Sequence, residues 1–403
     1  MAPKNKKGKG NNAGNNNAKG KNGGPAARTK KQAEAEEFER VLADLSKVTE
    51  AVGRERAEQH RRDEQARRGR LERLQESKKG GIEEEFDMML RRKYQKQHFQ
   101  QLLQRLLTTQ RLYLDAPNTD VNCEEITKNK HFGVAVGEMQ GWRASMEDKH
   151  LVDVTFPDGA EDSEEGLFCV FDGHSGKECA ERCSELFPRL ARLYLARNKG
   201  SCSVINFESV FMEADMLLEQ QLTDQSGCTA VSVHITPQRI TCASVGDSRA
   251  VLCREGSAVA LSEDHKPENT LERERIEAAG GTVSDNRVNG QLAMSRAMGD
   301  FSYKMQKNLD SREQLVIAVP DTISVERENG DAFVVLACDG IFDVLNNQEL
   351  IDLICRKKAE GKTNKQICGE ICHECLAPPA EGGGFATRSE GTDNMTIIIV
   401  DLN

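Results

Sequence analysis

A run of apolar residues that ends abruptly in charged and polar groups is the strongest constraint on how this chain folds. Residues Leu167 to Phe171 are all apolar, which predicts a strand buried on both faces. Asp172, Gly173 and His174 follow directly. A carboxylate at the tip of a rigid strand suits a divalent metal, the glycine allows close approach to the main chain, and the histidine adds a proton donor. Taken alone, the pattern also fits a turn beside a surface histidine.

Four further acidic clusters adjoin strand-like apolar runs elsewhere in the chain. They are residues 141–148 with Arg143, Glu147 and Asp148, residues 245–249 with Asp247, residues 336–340 with Asp339, and residues 391–395 with Asp393. In this order the five blocks resemble the metal-dependent serine/threonine protein phosphatases of type 2C, the PPM family. The resemblance covers about residues 131–403, and five ordered blocks are far more specific than one motif.

The resemblance implies a centre for two ions of Mg²⁺ or Mn²⁺, which prefer oxygen ligands. By this resemblance, Asp172 bridges both ions, Gly173 binds the first through its carbonyl, and Asp339 and Asp393 bind the second. Glu147 and Asp148 match outer-shell carboxylates that hold metal-bound waters. Asp247 matches a residue that, with Asp339, takes a third and weaker ion in some members.

The resemblance also implies two catalytic side chains outside the metal ligands. Arg143 matches the arginine that binds the substrate phosphate, a role that suits a guanidinium because its fork grips two phosphoryl oxygens. His174 matches the general acid that protonates the departing serine or threonine oxygen. The expected reaction is hydrolysis of phosphoserine or phosphothreonine by direct attack of a metal-activated water.

The part of the chain after residue 131 reads as short strands alternating with amphipathic helices. The periodicity predicts helices over 177–196 and 207–222, a meander of strands between 229 and 253, and a final strand over 395–402. This pattern is typical of an α+β fold with antiparallel sheets. The resemblance makes the expectation sharper: two packed antiparallel β-sheets, a β-sandwich, with helices on both outer faces.

The first 130 residues differ sharply in composition from the rest. Residues 1–32 predict a disordered basic tail, either solubilising or a nuclear-import patch. Residues 33–114 predict a helical arm, which is either a partner-binding or self-associating coiled coil or a helical hairpin that folds back. A cluster of turn-forming residues over 115–118 predicts a linker over 115–130. The catalytic domain of PPM type then occupies residues 131–403.

Charge and cysteine content restrict the partners and the compartment. Residues 1–130 carry a net charge of +9 and residues 131–403 a net charge of −19. An acidic body argues against a nucleic-acid-binding fold. The 13 cysteines are dispersed through apolar runs, and no apolar stretch is long enough to cross a bilayer. We therefore expect reduced thiols in an intracellular protein, cytoplasmic or nuclear, that acts on phosphoproteins and has no membrane span.

Cysteines raise one alternative metal site and one departure from the family pattern. Cys368, Cys372, His373 and Cys375 invite a zinc interpretation, but the cysteines share one apolar helical face and are expected in the core. Cys228 stands where the family usually has a second serine.

The sequence leaves three functions to compare. The first is the metal-dependent protein phosphatase described above. The second is a binding protein with an inactive phosphatase body, which the full set of acidic positions argues against. The third is a two-metal phosphodiesterase or nuclease, which the acidic body and the single phosphate-binding arginine argue against.

Overall fold

The computed structural model describes residues 112–126, 129–197, 205–381 and 390–402. The predicted basic tail over 1–32 and the predicted arm up to residue 111 lie outside these ranges. Both therefore stay predictions, as does the coiled coil.

The described chain is rich in short strands, numbered here in chain order. The longer strands are β1 Tyr113–Ile126, β2 Phe132–Arg143, β3 Lys149–Asp153, β4 Gly166–Phe171, β7 Ala230–Ile235, β8 Arg239–Val245, β9 Arg249–Arg254, β10 Ser257–Ala260, β14 Asp321–Glu326, β15 Asp331–Ala337 and β16 Met395–Leu402. The two-residue strands are β5 Gly173–His174, β6 Gly227–Cys228, β11 Val283–Ser284, β12 Arg287–Val288 and β13 Met298–Gly299.

Helices interrupt the strands, and the first two lie where the apolar periodicity predicts them, over 177–196 and 207–222. The helices are α1 Glu178–Arg197, α2 Phe207–Gln221, α3 Thr270–Ala278, α4 Asp339–Phe342, α5 Asn347–Ala359 and α6 Asn364–Cys375, with a 3₁₀ helix over Phe301–Tyr303. Helices α5 and α6 both begin with a capping box, from Asn346 and Thr363, which satisfies the first free N–H groups.

Two large antiparallel sheets form the centre of the fold. One has six strands in the order β1-β2-β16-β15-β9-β10, and the other has five in the order β14-β8-β7-β4-β3. A small three-stranded sheet, β13-β6-β5, lies beside the end of β4. Strand β4 is apolar and buried throughout, and β7, β8, β15 and β16 are buried along most of their length, as expected for strands covered on both faces.

The two sheets pack face to face through one apolar core. Its members include Val134 on β2, Phe168 on β4, Val233 on β7 and Ile398 on β16, all buried. Helices cover both outer faces: α4, α5 and α6 bury Ile341, Ile354, Ile371 and others against the six-stranded sheet. On the opposite side, Phe171 of β4 makes an edge-to-face contact with Phe187 of α1, which contacts Phe211 of α2 in the same way. The predicted α+β sandwich with helices on both outer faces is confirmed.

The predicted linker over residues 115–130 is wrong, because most of it is strand β1. Strand β1, Tyr113–Ile126, pairs antiparallel with β2 along the edge of the six-stranded sheet. Residues 113 and 114 therefore belong to this strand and not to the predicted helical arm. The pairing register shifts on both sides of Asn118, next to Pro117. An irregular edge strand tolerates proline and turn-forming residues, and the same residue types are common in linkers. For this reason the sequence of this segment indicated a linker.

No helix among the described residues is long and apolar enough to cross a membrane. The predicted core position of Cys368, Cys372 and Cys375 is confirmed, since all three are fully buried on α6 within the apolar layer beneath the six-stranded sheet.

Candidate active site

The predicted acidic residues gather at one edge of the sandwich, where strands of both sheets end. Asp172 follows β4, Asp247 joins β8 to β9, Asp339 follows β15 as the first residue of α4, and Asp393 comes two residues before β16. Arg143 is the last residue of β2. Because β2, β16, β15 and β9 are neighbours in one sheet and β4, β7 and β8 in the other, chain segments far apart in sequence converge here.

Hydrogen bonds tie the loops of the two sheets together at this edge. The Thr229 N–H donates to the Asp172 carbonyl at 2.9 Å, and the Asp172 N–H donates to Thr229 Oγ1 at 3.3 Å. Thr229 Oγ1 in turn lies 2.7 Å from Ser248 Oγ, beside Asp247. The positions of Asp172 and Asp247 are therefore fixed relative to each other.

Close main-chain packing holds Gly173 against the first acidic cluster. A Cβ atom at Gly173 would lie 2.3 Å from the carbonyl oxygen of Glu147, so no other residue fits without movement of the backbone. The Glu147 carboxylate accepts hydrogen bonds from Ser145 Oγ at 2.7 Å and from the Gly176 N–H at 3.0 Å. Both of its oxygens thus have protein partners.

The neighbouring carboxylates repel one another. Burial, followed by the negative charges of Asp339, Asp148, Asp393 and Asp247, raises the pKa of Asp172 well above its usual range. Burial, together with Asp247 and Asp393, does the same to the pKa of Asp339. Such a concentration of carboxylates is stable in the ionised form only when cations compensate for it.

Asp148 shows how little water reaches the back of the cluster. Its side chain is fully enclosed, and burial raises its pKa to about 7 although Thr396 Oγ1 donates a hydrogen bond to its Oδ2 at 2.8 Å. The opposite oxygen, Oδ1, has no hydrogen-bond partner among the described residues, and the same holds for the Oδ1 atoms of Asp247 and Asp339. Three buried carboxylate oxygens without donors are what a set of ligands for hard divalent cations would present.

Two basic side chains offset part of this charge. Lys266 Nζ donates to Asp247 Oδ2 at 2.5 Å, and Arg143 Nη2 forms an ion pair with Asp393 Oδ2. The Arg143 guanidinium also stacks on the Tyr113 ring of β1, 5.5 Å from its centroid. Lys266 was missed at the sequence level because it lies 19 residues from Asp247, in a loop without a motif.

His174 contacts a carboxylate outside the acidic cluster. Its Nε2 lies 2.6 Å from Asp300 Oδ2, and its Nδ1 is buried without a partner among the described residues. Burial alone would lower the pKa of His174, but the charge and hydrogen bond of Asp300 outweigh it and raise that pKa. Asp300 has a left-handed backbone with φ of 50°, and its N–H donates to the Ser226 carbonyl at 3.3 Å.

Asn394 is a second residue of the site that the sequence did not single out. Its amide donates to the carbonyls of Gln140 and Ser145, and its Oδ1 accepts from the Glu147 N–H at 2.9 Å. Asn394 therefore fixes the first acidic block to the last one, immediately beside Asp393. Its place directly after a predicted ligand was the only signal available.

Comparison with known proteins agrees with this fold. The family model described as Protein phosphatase 2C matches residues 132–382. The fold and the site define a metal-dependent protein serine/threonine phosphatase, a hydrolase. The chain belongs to the protein phosphatase 2C family.

Curated relatives are also described as protein phosphatases. Protein phosphatase 2C homolog 2 of Schizosaccharomyces pombe is 41% identical over 275 residues, which are 67% of this chain and 72% of that protein. Protein phosphatase 1A of Homo sapiens is 36% identical over 305 residues, covering 72% of this chain and 75% of that protein. Among solved structures, a phosphatase from a pathogenic strain of Toxoplasma gondii aligns with a TM-score of 0.57 at 23% identity, covering 70% of this chain and 96% of that one. This last likeness supports the fold alone.

Proposed function

We propose that this phosphatase hydrolyses phosphoserine and phosphothreonine in proteins by direct attack of water, with two Mn²⁺ or Mg²⁺ ions at the acidic cluster. Asp172, the Gly173 carbonyl, Asp339 and Asp393 would hold the ions. Glu147 and Asp148 would support their water ligands, and Asp247 with Asp339 would hold a third, weaker ion. When bound, such ions supply a nucleophilic water at neutral pH and neutralise charge on the phosphoryl oxygens.

The observation that carries this proposal is the set of carboxylate oxygens without partners. Oδ1 of Asp148, Asp247 and Asp339 accept no hydrogen bond from the described residues, although each lies among other carboxylates. A purely structural cluster would satisfy these atoms with N–H or O–H donors. Oxygen ligands of this kind favour Mg²⁺ and Mn²⁺ over soft metals.

Arg143 is assigned to the substrate phosphate. It extends from β2 to the cluster, where it pairs with Asp393, and its Nε is buried without a partner among the described residues. Stacking on Tyr113 fixes the plane of the guanidinium. A planar, always charged fork in this position binds phosphoryl oxygens and orients the phosphorus toward the ligands of the cluster.

His174 is assigned to the leaving oxygen. Asp300 favours the imidazolium and holds one proton at Nε2. The second proton, at Nδ1, is then the one that transfers to the departing serine or threonine oxygen. Without this proton the leaving group would be a strongly basic alkoxide.

We further propose an intracellular location, cytoplasmic or nuclear. Support comes from the cysteines of the described ranges, all of which carry free thiols. Self-association through the arm predicted over residues 33–114 stays a prediction for the part before strand β1.

The function is tested with three substrates at equal concentration: a phosphoserine peptide, a phosphothreonine peptide and a DNA phosphodiester. We expect turnover of both peptides, loss of turnover on chelation and recovery when Mn²⁺ or Mg²⁺ is restored. Turnover of the diester alone, or of the peptides in the presence of chelator, would contradict the proposal.

A further inference from the structure

Three cysteine side chains meet in the interior beside the active site. Cys179 and Cys183 lie one turn apart on α1, and Cys228 belongs to β6. Cys228 Sγ is 3.6 Å from Cys179 Sγ and 3.6 Å from Cys183 Sγ, and all three sulfurs lie within 4.8 Å of one another. All three residues are fully buried. We refer to them as the thiol cluster.

Rigid neighbours hold the thiol cluster in place. The Cys179 N–H donates to Ser226 Oγ at 3.0 Å at the start of α1. Cys228 pairs with Gly173 of β5 on one side and with Met298 of β13 on the other. The sulfurs are therefore positioned by the same small sheet that carries His174, and little reorganisation is needed to bring them around a common centre.

The sulfur separations match those around a bound metal ion. Zinc–sulfur bonds of about 2.3 Å at tetrahedral angles place two sulfurs about 3.8 Å apart. Thiolates are soft ligands, which prefer Zn²⁺, Cu⁺ and similar ions over Mg²⁺ or Mn²⁺. Hydrogen bonds from Cys183 and Cys228 lower the pKa of the Cys179 thiol despite its burial, whereas burial raises the pKa of the Cys183 and Cys228 thiols well above their usual range. Loss of the protons of Cys183 and Cys228 therefore needs the positive charge of a bound cation.

Other cysteines of the described chain lack this arrangement. Cys253 and Cys355 form a pair at 3.9 Å with no third thiol, and the cysteines of α6 are not brought together in this way. Within the described ranges, the thiol cluster is the one group of three or more His, Cys, Asp or Glu residues whose ligand atoms all lie within 4.8 Å of one another. The cluster is also distinct from the acidic site, whose ligands are all oxygen.

We propose that Cys179, Cys183 and Cys228 form a second metal site, which binds one soft, thiophilic cation through three sulfur ligands. Each ligating thiol loses its proton to solvent as the metal–sulfur bond forms, and no oxidant or reductant is involved. Hard and soft ions would then occupy neighbouring sites without competition. Since Cys228 pairs directly with Gly173, the soft ion would lie against the strand that carries part of the catalytic site.

The test uses Cd²⁺ as the probe on the full-length, reduced protein, with Mg²⁺ in large excess so that the acidic site is filled. Cadmium bound to thiolates absorbs in the ultraviolet by charge transfer from sulfur, whereas cadmium bound to carboxylates does not. A weak chelator present throughout removes cadmium from isolated thiols. We expect the absorption to saturate at one Cd²⁺ per chain.

Two serine variants separate the thiol cluster from the remaining cysteines. Cys228→Ser removes one ligand, and serine at this position resembles the family pattern, so we expect a folded protein that binds Cd²⁺ at least about tenfold more weakly with less absorption. Cys183→Ser should behave in the same way. Cys355→Ser is the matched control and should keep the full absorption, because it disrupts only the isolated pair. Equal absorption and affinity in the wild type and in both cluster variants, or no absorption in the wild type, would overturn the proposal.

Discussion

His174 Nε2 and Asp300 Oδ2 lie 2.6 Å apart, although 126 residues separate them in the sequence. The contact joins β5, at the rim of the acidic cluster, to the residue that precedes the 3₁₀ helix. Asp300 is buried, so its charge acts on the imidazole with little screening by water. This pair accounts for the raised pKa of His174 and is the basis of the first two predictions.

His174→Ala should slow hydrolysis of a phosphoserine peptide much more than hydrolysis of nitrophenyl phosphate. A serine alkoxide needs a proton as it leaves, whereas nitrophenolate is stable without one. General acids contribute about 10²–10⁴-fold, so the two losses should differ by at least an order of magnitude if chemistry limits both rates. The measurement is kcat for both substrates at saturating Mn²⁺. Equal losses, or recovery by more Mn²⁺, would assign His174 to support of the metal site instead.

Asp300→Asn should show the same dependence on the leaving group, at smaller magnitude. The amide keeps a hydrogen bond to His174 but removes the charge that favours the imidazolium. We expect a loss of about tenfold on the phosphopeptide and little loss on nitrophenyl phosphate. Asp285→Asn, at an exposed aspartate, is the control. A uniform loss on both substrates would mean that Asp300 acts through folding alone.

Removal of residues 1–111 should leave hydrolysis of nitrophenyl phosphate nearly unchanged. Every site residue and the whole of β1 lie after this point. Turnover and Tm of the shortened and full-length chains are the measurements. A shortened chain that is unfolded or inert would show that the first 111 residues complete the domain.

A longer truncation, to residue 128, should be damaging because it removes β1. That strand covers the edge of β2, and its Tyr113 stacks on Arg143. We expect a lower Tm, and a higher KM because Arg143 loses the ring that fixes its orientation. Equal Tm and KM for the two shortened chains would show that β1 contributes nothing to the site.

Glu272→Gln should destabilise the protein in a pH-dependent way. Burial alone would raise the pKa of Glu272. Its carboxylate, however, accepts hydrogen bonds from Arg296 and Ser295 and lies beside the positive charges of Arg275 and Arg296, and together these lower its pKa to about 2. Because the pKa of Glu272 is lower in the folded chain than in the unfolded chain, its ionised form stabilises the fold fully above about pH 4.5. This stabilisation is lost as the pH falls toward 2. The shift corresponds to on the order of 3 kcal/mol at neutral pH.

Urea unfolding of wild type and Glu272→Gln at pH 7, 4 and 3 tests this expectation. The difference in unfolding free energy should be largest at pH 7 and shrink below about pH 4.5. Glu274→Gln, on the exposed side of the same helix, should show little difference at any pH. A difference in unfolding free energy that does not change with pH would mean that the shape of the Glu272 side chain, and not its charge, stabilises the protein.

The positions of Asp172, Asp339 and Asp393 could be predicted because each lies beside a strand whose sequence is mostly apolar. Local sequence carries that information, and the pairing of neighbouring strands then brings the carboxylates together. Their roles as metal ligands stay predictions. Strand β1 could not be predicted because an irregular edge strand tolerates the turn residues around Pro117, which more often mark linkers.

Other parts of the site depend on contacts that no local pattern encodes. Asp300 meets His174 only after the chain has crossed several strands and helices, and Lys266 meets Asp247 in the same way. The thiol cluster joins two helical cysteines to one from β6, so the spacing of cysteines in the sequence gives no hint of it. The cysteines that looked most like a zinc motif, on α6, are core residues.

We propose that the acidic cluster holds the divalent ions on which turnover depends, and the variant Asp339→Asn is a direct test. The amide keeps the shape of the side chain but removes the charge that would hold a cation. Bound Mn²⁺ per chain and phosphopeptide turnover are measured over a Mn²⁺ titration, with the exposed Asp352→Asn as control. We predict a folded Asp339→Asn protein that binds Mn²⁺ more weakly and turns over at least about 100-fold more slowly. Normal Mn²⁺ binding and near-normal turnover at limiting Mn²⁺ would show that the acidic cluster does not hold the ions required for turnover.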